Sequence, residues 1–459
     1  MLLFIPPLLH LKNSKFTEYL MRSFLLFVAS LASSLSFGQN ELDEKLPEAL
    51  IPELKTVIDS ALQNSDTVLD RQLAEREAYG KRMSARSAVL PSLGTNVAVR
   101  QEKDDDTDGE AGFEDRVIYN VTLSQPLYHW GSKRSQKQIG ELGYGIEKLN
   151  TAIALESLAS RIRSAYLNLV IVKQNLEASE KMREEQQAKY DFMLSQVESG
   201  RAGESSLQSQ ELSLARSELS ELTRLNDWES KLDDLAQLSG LDVVTLAGLI
   251  VSEIPQFEVI SEETVAALET YFDSSLQNDE GLQKLELDLE IEQKRLRMEE
   301  VSLRPKIDAR VGMSSNALDV DGTRREQAYS YFGLSVSWSI FDGFSKKGSV
   351  IESLNRLNRK EHSKKLYEEK LLRSWKLLIS KLDIQRRALA IEERALLVAT
   401  GRVEWFEGEY EAGRVPKSDL DKASREFQNA STKAQSSRSS YLLALSELMT
   451  ELGIDPLSQ

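Results

Sequence analysis

The chain has 459 residues, a formal net charge of −16 and 41% hydrophobic residues. The acidic balance excludes nucleic acid as a partner, because phosphate binding needs a basic surface. The absence of cysteine excludes disulfides, thiolate metal sites and cysteine nucleophiles. Only His10, His129 and His362 are present, with no pair at metal-ligand spacing, so neither a zinc site nor a catalytic triad is expected. The chain therefore reads as no enzyme and as carrying no cofactor or metal.

Met21-Arg22-Ser23 opens an apolar run over residues 24–37 that ends beside Gly38 and Gln39. It falls short of the roughly 20 residues that a membrane helix takes. With its small-residue end it reads as a signal peptide, so 1–38 is an upstream extension plus export signal. No later run is apolar and long enough for a spanning helix. If the protein crosses a membrane, strands must do it.

The rest of the chain is a duplication. Asp59-Ser-Ala-Leu-Gln-Asn64 recurs as Asp273-Ser-Ser-Leu-Gln-Asn278, an offset of 214. Leu90-Pro91 and Leu93 match Arg304-Pro305 and Ile307 at the same offset. Leu127-Tyr128-His129 match Ile340-Phe341-Asp342 at 213, as do Gly200-Arg201 with Gly413-Arg414, and Gly240 and Asp242 with Gly453 and Asp455. The expected division is a first repeat over 39–242, an equatorial linker over 243–262 and a second repeat over 263–459.

Each repeat opens with a helix, about 57–88 and 263–302, that stops at Pro91 or Pro305, where proline disfavours continued helix. Strands of period two come next, in hairpins over 91–128 and 305–341. Leu93, Thr95, Val97 and Val99 share one face and Gly94, Asn96, Ala98 and Arg100 the other. Tyr119, Val121 and Leu123 likewise oppose Asn120, Thr122 and Ser124, while Phe332, Leu334 and Val336 oppose Gly333, Ser335 and Ser337. Such alternation fits a half-buried strand, either on a soluble core or with lipid on one face and water on the other. The long flanking helices leave no globular remainder to cover the sheet, which favours lipid. Tyr119, Tyr128, Trp130, Tyr329, Tyr331, Trp338 and Phe341 are expected to form an interfacial girdle. Loops are expected over 101–116, which is strongly acidic, and over 314–327.

Proline-free helical segments succeed the hairpins, 132–198 and 346–411, each about 100 Å long at 1.5 Å per residue. Return helices cover about 205–238 and 418–452. In the last one Leu420, Ala423, Phe427, Ala430, Ala434, Ser437, Tyr441, Ala444 and Leu448 keep a heptad rhythm suited to knobs-into-holes packing. At the turns Gly200 and Gly413 occupy helix C-terminal glycine positions. Ser205 and Ser418 are expected to cap the returning helices.

On these residues the chain resembles the TolC family of outer-membrane efflux proteins over about 45–455. The carriers are the duplication, Leu90-Pro-x-Leu93, Gln125-Pro-Leu-Tyr128, Ser339-Ile-Phe-Asp-Gly343 and the Gly-Arg-x-x-x-Ser tips. The resemblance implies a mainly α protein with a membrane β part, a homotrimer whose protomers share a twelve-stranded β-barrel in outer-membrane lipid. It implies a long periplasmic α-helical tunnel below, closed by the helical hairpin tips. Those tips would dock a periplasmic adaptor (membrane fusion protein) that links to an inner-membrane transporter, for efflux or type I secretion. Residues matching the tip pattern are Gly200, Arg201, Ser205, Leu207, Gly413, Arg414, Ser418 and Leu420. Asp419 falls where the family can place an acidic aperture ring, although Lys422 stands at the second acidic position. The chain stops soon after Asp455, so segments 40–56 and 243–262 are expected to supply most of the equatorial collar. The competing reading is a periplasmic coiled-coil adaptor or scaffold without a barrel.

Overall fold

A computed structural model describes residues 45–103, 113–320 and 323–455. The expected signal peptide and the acidic stretch around residues 104–112 lie outside these residues. The first repeat contains α1 (Pro47–Leu50), α2 (Pro52–Asn64), α3 (Asp66–Ser87), β1 (Ser92–Lys103), β2 (Phe113–Tyr128), α4 (Ser132–Glu198) and α5 (Glu204–Ser239). Then come α6 (Val243–Leu249), α7 (Glu262–Ala267) and a short 3-10 turn (Leu268–Tyr271). The second repeat continues with α8 (Phe272–Asn278), α9 (Glu280–Glu300), β3 (Lys306–Val320), β4 (Thr323–Ser337), α10 (Ser345–Glu411) and α11 (Lys417–Glu451).

The opening helices are broken where one continuous helix was expected. Ser65 adopts an extended conformation and its side chain accepts from the Val68 N–H. Asp279 does the same for the Leu282 N–H, at 2.6 Å. Both come after the repeated Gln-Asn pair, so the break itself is duplicated. A side-chain cap satisfies an N–H that a new helix start would otherwise leave orphaned.

The four strands form one antiparallel sheet in the order β1-β2-β3-β4. They run further than the alternation suggests. Pairing extends to Lys103↔Phe113 and to Val320↔Thr323, so much of the expected loops over 101–116 and 314–327 is ladder. Backbone pairing continues without apolar side chains once a hairpin has fixed the register. Leu93, Leu123, Val311 and Phe332 lie in one row across all four strands, and they are 73%, 42%, 53% and 89% exposed. The opposite face carries Gly94, Thr122, Gly312 and Tyr331. There the Tyr331 ring lies over Gly312, where a Cβ would sit 2.6 Å from it. The Tyr331 hydroxyl is 2.9 Å from Thr122 Oγ1. Tyr331 and Tyr329, which pairs with Ser314, therefore stand on the polar face and not in an outer girdle. Trp130 is also tucked in, its Nε1 donating to the Pro305 carbonyl at 2.8 Å.

The sheet feeds two helices of 67 residues each, about 100 Å long. Each packs against its return helix as a hairpin. Within the expected seam of α11, Ala423, Ala434, Tyr441, Ala444 and Leu448 are buried. The main core sits partway along the long helices. Ile162, Tyr166, Leu167 and Val170 of α4 meet Trp375 and Leu382 of α10 and Leu445 and Leu448 of α11 there, under Leu54 and Ile58 of α2.

Residues 250–260 cross this core without regular structure, and side chains supply what a helix would have supplied. Lys173 Nζ and Gln174 Nε2 of α4 donate to the Ile250 and Ser252 carbonyls, each at 2.8 Å. From α11, Gln435 Oε1 accepts from the Ile254 N–H at 2.9 Å, Arg438 donates to the Ile254 carbonyl at 3.1 Å, and the Tyr441 hydroxyl accepts from the Ile260 N–H at 3.0 Å. Buried backbone polar groups need such partners, so this segment is strapped down on both sides.

Candidate docking tips

Each long helix turns back through one backbone device. Gly200 has φ +72° and Gly413 φ +71°. The Gly200 N–H donates to the Val197 carbonyl at 2.9 Å and the Arg201 N–H to the Gln196 carbonyl at 2.7 Å. At the second tip Gly413 donates to Tyr410 and Arg414 to Glu409, both at 2.9 Å. These paired bonds are a Schellman closure, which satisfies the last helix carbonyls and favours glycine at the left-handed position. A Cβ built on either glycine would meet nothing within 4 Å. The backbone of both tips thus faces open space, where a partner can reach it.

The returning helices start earlier than their serines. Gly203 and Pro416 are the N-caps, both extended and without a side-chain cap, so Ser205 and Ser418 lie inside the first turn. The expected serine caps are not formed. The extended Gly203 and the fixed φ of Pro416 set the helix direction before either serine is reached.

Arg201 and Arg414 are both exposed, and Arg414 also pairs with its own helix, its Nε 2.8 Å from Glu409 Oε2. Leu207 and Leu420 are half-buried, each at the inner side of its hairpin start. The first four residues of the tip pattern stand at one tip and the second four at the other. No hydrogen bond or ion pair among the described residues joins the two tips. Asp419 is exposed in the first turn of α11, and Lys422, three residues on, is exposed beside the buried Ala423. The turn motif alone does not mark an aromatic patch above each tip. Phe192 and Trp405 are 64% and 57% exposed and stand at the repeat offset of 213. Trp405 also packs edge-on to Phe406, with centroids 4.8 Å apart. An aromatic at the same place in both repeats is the signal the sequence holds for them.

At the other end of the lower helices, Arg163 ties the two repeats and both ends of the described chain together. It is 1% exposed. Its guanidinium pairs with Glu48 of α1 and with Asp455 after α11, and donates to Ser446 at 2.9 Å. Burial alone would lower the Arg163 pKa, but these two carboxylates raise it above the usual arginine range. Asp455 is itself only 2% exposed. Asp455 thus fastens the chain just after α11 to the middle of α4.

Residues 57–241 and 272–454 match the family described as outer membrane efflux protein. The chain belongs to the outer membrane efflux protein family. This agrees with the TolC resemblance carried by the duplication and the tips, and it makes the protein an outer-membrane efflux channel by class. A channel family is also in keeping with a chain that reads as no enzyme. The fold is similar to that of the CmeC outer membrane channel of Campylobacter jejuni, with a TM-score of 0.71 at 15% identity, covering 88% of this chain and 86% of that one. The open state of the MtrE outer membrane channel of Neisseria gonorrhoeae gives 0.66 at 17% identity, covering 89% and 91%. The outer membrane protein VceC of Vibrio cholerae gives 0.66 at 15%, covering 88% and 96%. No curated protein sequence matches the chain.

Proposed function

We propose that this member of the family is the exit duct of a tripartite efflux or type I secretion system. It acts as a homotrimer, each copy giving four strands to one twelve-stranded barrel and its helices to a periplasmic tunnel. The observation that carries this reading is the sheet. Among the described residues nothing pairs with the outer edges of β1 and β4, and the row from Leu93 to Phe332 is left open in the protomer. Open edges are not tolerated in hydrocarbon, so a spanning sheet must close on itself. Joining β4 of one copy to β1 of the next closes it. A periplasmic scaffold without a barrel would leave that face in water, and a protein soluble without detergent would overturn the duct.

In this reading Gly200, Arg201, Ser205 and Leu207, with Gly413, Arg414, Ser418 and Leu420, dock a periplasmic adaptor that links to an inner-membrane transporter. Asp419 lines the mouth. The open backbone at Gly413 supports the docking role, and two substitutions separate it from simple helix termination. Asparagine tolerates the left-handed region and projects little; a bulky tryptophan fills the space. Both carry a left-handed penalty, of about 1 kcal/mol or more for tryptophan. G413W is expected to abolish efflux in cells while trimers still assemble and insert, and G413N to retain efflux. Equal assembly defects in both would reduce Gly413 to a helix terminator.

A further inference from the structure

The two junctions between sheet and long helix carry a feature that neither the tips nor the core uses. In the first repeat a cleft of 360 Å³ opens between Leu127, Tyr128 and His129 after β2 and Lys133 and Arg134 at the start of α4. In the second, a cleft of 380 Å³ lies between Phe341 and Phe344 after β4 and Lys346 and Lys347 at the start of α10. The basic pairs are equivalent at the repeat offset of 213. Their burial is equivalent too: the first residue of each pair is half-buried and the second exposed.

These charges are in the wrong place for the helix. A helix N-terminus is its positive end and favours acidic side chains, yet neither first turn contains one. Residues 129–140 and 343–351 hold no Asp or Glu at all in a chain of net charge −16. The nearest acidic group in sequence, Asp342, is turned to the backbone, where its Oδ2 accepts from the Lys346 N–H at 2.8 Å. Among the described residues none of the four basic side chains makes an ion pair or hydrogen bond. Immediately above them the surface is apolar and aromatic. Leu127 is 54% exposed, Tyr128 49%, Ile340 75%, Phe341 70% and Phe344 73%. Apolar, then aromatic, then basic is the order met on passing from acyl chains to the headgroup plane of a leaflet.

We propose that each protomer holds two anionic phospholipids at the base of its sheet, with their phosphates on Lys133/Arg134 and Lys346/Lys347. The acyl chains lie along the exposed strand face. A small soluble anion would need the charges but not the apolar surface that continues from them. The inference rests on the proposed insertion of the sheet.

Detergent-purified trimer is to be titrated with phosphatidylglycerol and, separately, with phosphatidylcholine of the same acyl chains, and bound lipid counted by native mass spectrometry. The wild type is expected to retain phosphatidylglycerol preferentially. Each basic residue removed should weaken its retention by about fivefold, a value typical of one Lys or Arg at an anionic lipid surface. K133Q/R134Q and K346Q/K347Q should each lose one of the two sites, and the quadruple variant should lose the preference. If the quadruple variant does not assemble, the two double variants decide. Equal retention of both lipids by the wild type, or a preference that survives the substitutions, overturns the inference. Displacement of phosphatidylglycerol by millimolar inorganic phosphate overturns it in favour of a small-anion site. Incorporation into phosphatidylglycerol nanodiscs is measured in parallel. Failure of the wild type there sinks the membrane reading itself, whereas insertion without lipid preference sinks only the lipid sites.

Discussion

Arg163 joins distant parts of the chain through a single guanidinium. A buried guanidinium costs desolvation, and here it faces two carboxylates from opposite ends of the described chain. Arg163→Met would strand Asp455 and Glu48 together, at a cost of about 3–5 kcal/mol for a broken buried pair. The expected result is a large drop in the thermal midpoint, substantially recovered when Glu48→Gln and Asp455→Asn are added. A midpoint unchanged by R163M would show that the cluster contributes nothing. A second group nearby responds to pH. Burial first, then the charges of Glu280, Asp455, Asp279 and Glu451, push the Glu156 carboxyl up to about 7. A raised acid binds more protons folded than unfolded, so its stabilising contribution is full below the ordinary value of 4.5 and is lost as pH rises towards 7. Glu156→Gln should flatten the dependence of the melting midpoint over that window and raise the midpoint above about pH 7. An unchanged pH profile would remove Glu156 from the account. Neither cluster is legible in the sequence, because Glu48, Glu156, Arg163 and Asp455 look like ordinary surface charges until helices far apart in the chain are packed.

At the scale of elements, legibility depends on the kind of signal. The long helix over residues 132–198 is readable to its ends, since no proline interrupts it and glycine closes it. The breaks at Ser65 and Asp279 are not, because a capping side chain looks like any other polar residue inside a helical pattern. The strands are readable in their apolar halves but not in their polar extensions, where only backbone bonds define them. The tip glycines stand out while Phe192 and Trp405 do not, since an exposed aromatic on a helix has no turn chemistry to mark it. The assigned faces make a direct prediction. Leu334 pairs with Ala309 on the apolar face and Ser335 with Asp308 on the polar one. Leu334→Arg should impair membrane insertion by about 2–4 kcal/mol if it lies near mid-bilayer, with Ser335→Arg milder. Folding titrations into lipid vesicles that give equal penalties would reverse or abolish the assignment of faces.

For the whole molecule, the proposed threefold symmetry would convert a single exposed carboxylate into a field. One Asp419 in the first turn of α11 is favourable with the helix dipole, typically by about 0.3–1 kcal/mol. Three around a narrow axis would concentrate negative potential in the opening, partly offset by Lys422. Asp419→Asn is therefore expected to lower cation selectivity and weaken block by divalent ions in planar-bilayer recordings. If both stay unchanged in a correctly assembled trimer, Asp419 is a helix-start residue only.

The turns that join sheet to helix hold a further consequence of the duplication. Both use two successive left-handed residues, and the repeats fill them in opposite order: Trp130-Gly131 in one, Gly343-Phe344 in the other, with φ of +55° and +86° against +67° and +70°. The backbone constraint has survived while the side chain has moved one place along. Trp130 is consequently sealed against Pro305 of its own chain, whereas Phe344 is 73% exposed. In a closed ring of three copies the turns at the barrel's foot would alternate, one locked from within and the next presenting an exposed Phe341–Phe344 pair to whatever borders it.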